Sequence, residues 1–143
     1  MSSSVLVRDV MSKNMKTVRP DSKLREVIQK MLKFNIGSII IMKRDKPAGI
    51  ITERDVLKSL VEANRILDLT EAKDIMSEPL ITIEEYADIE QASRLMLKNN
   101  IKKLPVVNDD NLIGIITASD IVRATGLLTG PLKDLSKIGR EKM

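Results

Sequence analysis

The sequence predicts a mixed α/β (α+β) fold in which a strand-helix-strand-strand-helix (β-α-β-β-α) unit occurs twice. Segment 49–55, Gly-Ile-Ile-Thr-Glu-Arg-Asp, returns 65 residues later as segment 114–120, Gly-Ile-Ile-Thr-Ala-Ser-Asp. At the same offset, segment 9–12 (Asp-Val-Met-Ser) matches segment 74–77 (Asp-Ile-Met-Ser). A unit of about 55 residues buries too little apolar surface to be stable alone, so we expect the two copies to share a core.

Each copy is predicted to begin with a short strand, at residues 17–18 and 82–83, followed by an amphipathic helix. Apolar residues at i, i+3, i+4, i+7 and i+8 are typical of such a helix. Asp21 or Ser22 can cap the first helix. Asn35 and Asn100 stand where a helix ends in the left-handed conformation. The apolar positions are Leu24, Val27, Ile28, Met31 and Leu32, repeated as Ile89, Ala92, Ser93, Met96 and Leu97.

Two antiparallel strands and a second helix complete each copy. The second helices are predicted to begin at Thr52 and Thr117, where the second strands end. The strands are 38–42 and 48–51 around the polar turn 43–46, and 104–107 and 112–116 around the turn 108–111. The predicted organisation is a first unit (6–62), a connector (63–72), a second unit (73–127) and a basic C-terminal tail (128–143).

The composition argues against several classes of protein. Cysteine and histidine are both absent, which removes disulfides, thiolate nucleophiles, the commonest metal ligand and the commonest general base. The six glycines form no P-loop, dinucleotide-binding turn or nucleophile elbow. We find no signal peptide and no apolar run long enough to span a membrane, so we expect a cytoplasmic protein without a membrane partner.

Charge is distributed unevenly over a chain of net charge +4. Residues 8–61 carry 13 basic and 6 acidic side chains, a balance of +7, whereas residues 73–126 carry 6 and 9, a balance of −3. Two interpretations remain open: ordinary variation on solvated faces, or a dipolar molecule that meets a partner or a second copy with opposite ends together.

The repeated Thr-x-x-Asp has two interpretations that can both hold. It is a capping box, in which the threonine hydroxyl accepts from the N3 amide and the carboxylate accepts from the cap amide. A hydroxyl and a carboxylate at a helix N-terminus can also bind the two hydroxyls of a ribose, while free amides attract phosphate. The preceding glycine favours the second interpretation, because it lets another backbone or a ligand come close.

These motifs resemble a tandem pair of cystathionine-β-synthase (CBS) domains, a Bateman module, over about residues 6–127. The resemblance depends on both Asp-x-Met-Ser segments, on Thr-Val-Arg-Pro at 17–20, on segment 101–107 and on both Gly-Ile-Ile-Thr-x-x-Asp segments. It implies two units packed sheet to sheet about a pseudo-twofold axis. It also implies two clefts that in many relatives bind AMP, ADP, ATP or S-adenosylmethionine.

In the family, each cleft combines a Thr-x-x-Asp with adenine-lining segments of the other unit. The resemblance implies that Lys102 and Lys103 face the phosphates of the first cleft, so we expect that cleft to bind better. Arg54 is expected to face either phosphate or solvent. The first cleft would be formed by Thr52 and Asp55 of the first unit together with residues of the second unit. These are Leu80 and Ile81, on its leading strand, and Ile101, Lys102, Lys103 and Pro105. The second would be formed by Thr117, Asp120, Lys16, Thr17, Ile36, Gly37 and Ser38.

We therefore expect a regulatory module that is not an enzyme and has no catalytic cofactor or metal. Its ligand is an adenosyl small molecule, AMP first among the adenine nucleotides, and it signals through a homodimer or an unidentified protein partner. The alternative is a nucleic-acid-binding protein that uses the basic first unit, although Phe34 and Tyr86 alone offer rings on which bases could stack. An enzyme and a purely structural module with empty clefts are two further possibilities.

Overall fold

The structure is a computed structural model that describes residues 5–126, so the predicted tail at 128–143 lies outside the described residues. Within that range the chain divides into two compact bodies. The first body consists of residues 15–80, and the second of residues 5–14 and 81–126. The N-terminal Asp-Val-Met-Ser segment therefore packs with the second copy of the repeat rather than with its own. In chain order, the elements are α1 (Val7–Val10), β1 (Thr17–Val18), α2 (Leu24–Phe34), β2 (Ser38–Lys43), β3 (Lys46–Thr52), α3 (Glu53–Val61), α4 (Ala72–Ile75), β4 (Ile83–Glu84), α5 (Ile89–Asn99), β5 (Lys103–Asn108), β6 (Asn111–Thr117) and α6 (Ala118–Ala124).

Each body contains one three-stranded sheet, ordered β1-β2-β3 in the first body and β4-β5-β6 in the second. The leading strand runs parallel to its neighbour, and the following hairpin is antiparallel. Arg44 and Asp45 join β2 to β3 with φ angles of 51° and 67°, and Asp109 and Asp110 do the same with 51° and 66°. Two consecutive residues with positive φ are typical of the type I′ hairpin turn. The predicted strand-helix-strand-strand-helix order is confirmed in both copies.

The structure adds two short helices that the sequence analysis missed. In α1 and α4 the aspartates Asp9 and Asp74 lie at the third helical position, within the Asp-x-Met-Ser motifs. The Asp74 carboxylate accepts a hydrogen bond from the backbone amide of Glu71 (2.9 Å), and the Asp9 carboxylate accepts one from Leu6 (3.3 Å). The aspartate of the motif thus closes a single turn of helix, which is too short to produce a visible hydrophobic period.

The caps of the main helices were predicted only in part. Asn35 and Asn100 do end α2 and α5 in the left-handed conformation, with φ angles of 53° and 54°. The prediction that Asp21 or Ser22 caps α2 is wrong, because the N-cap residue is Lys23 and no side chain caps that end. The Ser22 hydroxyl instead accepts a hydrogen bond from the Arg19 amide (3.1 Å), within the turn before the helix.

Each body has its own hydrophobic core. The predicted helical stripes supply much of both cores, but Leu32 and Leu97 at their i+8 positions are 76% and 82% exposed. The N-terminal Val7 is fully buried in the second core. The first core contains Val18, Leu24, Val27, Met31, Ile36, Ile39, Ile41, Ile51, Val56 and Ala72, and the second contains Val7, Ile83, Ala92, Met96, Leu104, Val106 and Ile116.

Candidate functional site: two Thr-x-x-Asp half-sites

The first half-site is the junction of β3 and α3. Thr52 and Asp55 form the predicted capping box: the Asp55 amide donates to Thr52 Oγ1 (3.3 Å), and the Thr52 amide donates to Asp55 Oδ2 (2.9 Å). The Thr52 hydroxyl also donates to Asp55 Oδ2 (3.1 Å). Ser77 Oγ lies 3.4 Å from both carboxylate oxygens, a distance at which its hydrogen bonds are long and weak. Asp55 is partly exposed, so its carboxylate can receive further hydrogen-bond donors.

The second half-site, at the junction of β6 and α6, has the same box in a different environment. The Asp120 amide donates to Thr117 Oγ1 (3.2 Å), and the Thr117 amide donates to Asp120 Oδ2 (3.0 Å). The guanidinium of Arg123, one turn along α6, donates to Asp120 Oδ1 in an ion pair. The side chains of Asp120 and Arg123 are 0% and 11% exposed, and Thr117 is buried as well. Both oxygens of Asp120 therefore have protein partners away from solvent.

The glycine of the repeated phrase is required by packing against the Asp-x-Met-Ser motif. The main chains of Ile50 and Ser77 exchange two hydrogen bonds (2.9 and 3.4 Å), which lays the motif along β3 beside Gly49. Ile115 and Ser12 do the same beside the second glycine (2.8 and 2.9 Å). The close approach expected from the glycine is thus made by a neighbouring protein segment, which brings Ser77 to Asp55.

In the first body, the predicted residues at 36–38 lie beside Thr52. Ser38 pairs with Thr52 across the β2–β3 ladder, and the carbonyl of Gly37 accepts a hydrogen bond from the Glu53 amide (3.1 Å). Ile36 is buried in the core. Thr17 lies in β1, where its carbonyl accepts a hydrogen bond from Lys30 Nζ (2.9 Å). Lys16 has its Nζ 4.4 Å from the centroid of the Phe34 ring. Arg54 is exposed in the first turn of α3, between Thr52 and Asp55, and Leu80 follows α4.

In the second body, the lysine pair lies beside Thr117. Lys103 pairs with Thr117 across the β5–β6 ladder, and the carbonyl of Lys102 accepts a hydrogen bond from the Ala118 amide (2.9 Å). Ile101 is partly buried and Pro105 is buried within β5. The placement of Leu80 and Ile81 on a leading strand is wrong, because both residues precede β4. Each unit thus brings its own wall segment to its own Thr-x-x-Asp.

Sequence reasoning did not identify Ser77 and Arg123 as parts of these half-sites. The signal for Ser77 was its place in the repeated Asp-x-Met-Ser motif. The signal for Arg123 was its spacing of three residues from Asp120, which puts the two side chains on one face of a helix. Its counterpart at the repeat offset is Lys58, which is exposed.

Residues 5–126 contain neither a cluster of metal ligands nor a membrane-spanning helix. No group of three or more acidic residues in that range is placed to hold a metal ion. No helix there is both long and apolar enough to cross a bilayer.

The repeated fold and the doubled half-site define a pair of CBS domains. A family model described as the CBS domain matches residues 7–62 and 72–126. The chain therefore belongs to the CBS-domain family and carries two copies of the domain, a fold that serves regulation.

Several relatives extend the comparison. The chain is 37% identical over 142 residues to an uncharacterized protein of Methanopyrus kandleri, covering 98% of this chain and 72% of that one. It is 30% identical over 115 residues to the CBS domain-containing protein YhcV of Bacillus subtilis, covering 80% and 81%. An inosine-5′-monophosphate dehydrogenase of Methanocaldococcus jannaschii is 36% identical over 117 residues, which are 80% of this chain and 22% of the enzyme.

Solved structures agree with the fold. A CBS domain pair in complex with 5′-methylthioadenosine and S-adenosyl-L-methionine superposes with a TM-score of 0.77 at 31% identity, covering 87% of this chain and 98% of that one. A conserved protein from Pyrococcus horikoshii has a TM-score of 0.79 at 23% identity, with coverages of 91% and 98%, and shares the fold. Nothing in the family match or in these relatives supports the nucleic-acid alternative.

Proposed function

We propose that this chain is a non-catalytic regulatory module that binds an adenosyl ligand at Thr52 and Asp55. The observation that carries the proposal is the partly exposed Asp55 carboxylate, held at the N-terminus of α3 beside the Thr52 and Ser77 hydroxyls. A carboxylate with unfilled acceptor capacity can accept two ribose hydroxyls, and the nearby hydroxyls extend the same polar surface. The positive end of the α3 helix dipole favours an adjacent phosphate.

The relative that supports an adenosyl ligand is the solved CBS domain pair at 31% identity, whose complex contains 5′-methylthioadenosine and S-adenosyl-L-methionine. Both compounds carry a ribose with vicinal hydroxyls, as do AMP, ADP and ATP. We propose AMP as the first candidate. The exposed Arg54, which lies between Thr52 and Asp55 in the motif, is an available cation for its phosphate, although the Thr-x-x-Asp recognises only the ribose.

A thermal-shift panel tests the ligand class. Ligands that bind the folded state raise its melting temperature by mass action. We expect AMP, S-adenosylmethionine or another adenosyl compound to stabilise the protein, and 2′-deoxy-AMP to stabilise it less because it lacks one ribose hydroxyl. Asp55→Asn should abolish the shift, since an amide oxygen cannot replace both carboxylate acceptors. Glu62→Gln removes the same charge from an exposed position at the other end of α3 and should leave the shift unchanged.

The regulatory output requires a second molecule. We propose a cytoplasmic homodimer that transmits ligand binding to an unidentified protein partner, since a ligand shifts an equilibrium only through differential affinity for two states. Size-exclusion chromatography with light scattering, with and without AMP, tests the dimer. A monomer under both conditions would contradict it.

A further inference from the structure

We propose that Arg123 closes the second Thr-x-x-Asp to ligand, so that the chain binds one adenosyl ligand at Thr52 and Asp55 and none at Thr117 and Asp120. This inference rests on the proposed function and adds the residue that decides between the two copies. Arg123 acts here as a specificity-determining residue supplied by the site's own helix.

The two carboxylates differ in how their acceptor capacity is used. Asp120 receives the Thr117 amide on one oxygen and the Arg123 guanidinium on the other, with its side chain fully buried. Asp55 receives the Thr52 amide and hydroxyl on one oxygen, and its remaining donor is the distant hydroxyl of Ser77. The carboxylate that a ribose would need is thus engaged by a charge in one copy and accessible in the other.

In the second copy, replacing Arg123 by a ribose as the hydrogen-bond partner of Asp120 is unfavourable. Ribose hydroxyls are neutral donors, so in replacing the guanidinium they would remove the attraction between two opposite charges at a poorly solvated position. They would also leave the guanidinium of Arg123, which is 11% exposed, without its carboxylate in a poorly solvated position. In the first copy a ribose hydroxyl displaces only the 3.4 Å contacts of Ser77, and that serine is exposed to water.

The sequence change responsible is one residue at the third position after the aspartate. Arg123 stands there in the second copy and Lys58 in the first. Among the described residues, no ion pair joins Lys58 to Asp55. A planar guanidinium presents several donors in a fixed geometry, whereas a lysine ammonium is strongly hydrated and remains in solvent more readily.

Stoichiometry gives the direct test. Isothermal titration with AMP, and in parallel with S-adenosylmethionine, should give one ligand per wild-type chain. Asp55→Asn should remove that binding, and Asp120→Asn should retain it. Two ligands per wild-type chain would overturn the inference.

Lys58→Arg provides a second test at an exposed position where misfolding is not expected. It should introduce the guanidinium of the second copy beside Asp55 and weaken AMP binding by about tenfold, the factor expected when one ligand hydrogen bond is lost. Lys58→Gln is the matched control and should change affinity by less than about twofold. If Lys58→Arg binds AMP as tightly as wild type or more tightly, Arg123 does not act by this mechanism.

The two proposals fail in different ways. If wild type binds neither probe, the proposed function is overturned and this inference with it. If wild type binds one ligand that Asp55→Asn removes, while Lys58→Arg has no effect, the proposed function stands and the role of Arg123 is overturned.

Discussion

Gly49 lies directly against the side chain of Met76. A Cβ atom on Gly49 would come 2.6 Å from the Met76 sulfur and 3.1 Å from the carbonyl oxygen of Ser77. The second body repeats the arrangement: a Cβ atom on Gly114 would come 2.6 Å from the Met11 sulfur. The glycine of one motif and the methionine of the other thus form a single packing unit, present once in each body.

We expect Gly49→Ala to destabilise the protein by about 1–3 kcal/mol, because an added methyl group forces a packed neighbour to move. Urea unfolding measures the change as a lower midpoint at an unchanged slope. Met76→Ala should also destabilise, through lost packing. Since the two residues touch, the double variant should lose less than the sum of the single changes. Strict additivity would show that the Met76 contact is not the source of the cost.

Periodicity predicted the elements of this fold because burial of one face leaves a local signal. The stripe beginning at Leu24 indicated α2, and the polar pair Arg44 and Asp45 indicated the hairpin turn. The same signal does not say which distant segment covers a surface. The placement of the N-terminal segment in the second body therefore depends on contacts such as Met11 with Gly114, between residues far apart in the sequence.

The sequence predicted which residues form the candidate site, but not whether their carboxylates are accessible or buried in an ion pair. The repeated Thr-x-x-Asp located Asp55 and Asp120, and both capping boxes were predicted correctly. The difference between an accessible carboxylate and a buried, ion-paired one depends on side chains that the motif omits, chiefly Ser77 and Arg123. The two Thr-x-x-Asp motifs therefore lie in different environments.

The helix ends at Asn35 and Asn100 give a second prediction. Both residues adopt the left-handed conformation, which costs about 1–2 kcal/mol for an ordinary residue and little for glycine. Asn35→Ala should therefore lower the free energy of unfolding by about 1 kcal/mol, whereas Asn35→Gly should leave it nearly unchanged. Chemical denaturation of both variants checks this. Equal losses from alanine and glycine would indicate that the asparagine side chain, rather than its backbone conformation, stabilises the turn.

The N-termini of α2 and α5 give a third prediction, because the two copies differ there. Asp88 caps α5 by accepting from the Gln91 amide (2.8 Å), whereas Lys23 at the same position of α2 makes no such bond. Asp88→Ala should cost about 1 kcal/mol of stability, the usual value for a lost cap. Lys23→Ala is the matched control and should cost less than about 0.5 kcal/mol, since its ion pair with Glu71 is on the surface. Similar losses at both positions would contradict the assignment of Asp88 as a cap.

The ion pair between Arg25 and Asp68 predicts a measurable pH dependence. Two hydrogen bonds from the Arg25 guanidinium (2.7 and 3.1 Å), with its positive charge and that of Lys23, lower the pKa of Asp68 below its usual value despite some opposing desolvation. A carboxyl group whose pKa is lowered on folding stabilises the folded state above its unfolded pKa, about 3.9. That contribution is lost as the pH falls through the lowered value. Because both groups are exposed, we expect a small effect that added salt reduces further.

Arg25→Gln should raise the pKa of Asp68 toward its ordinary value, as measured by NMR titration of the side-chain carboxyl carbon. Arg19→Gln is the control. Arg19 donates to Asp21 (3.0 Å) and lowers the pKa of that residue in the same way, so its removal should affect Asp21 and leave Asp68 unchanged. An Asp68 titration that does not respond to Arg25→Gln would mean that the ion pair is not maintained in solution. Arg25 would then not anchor the connector to α2.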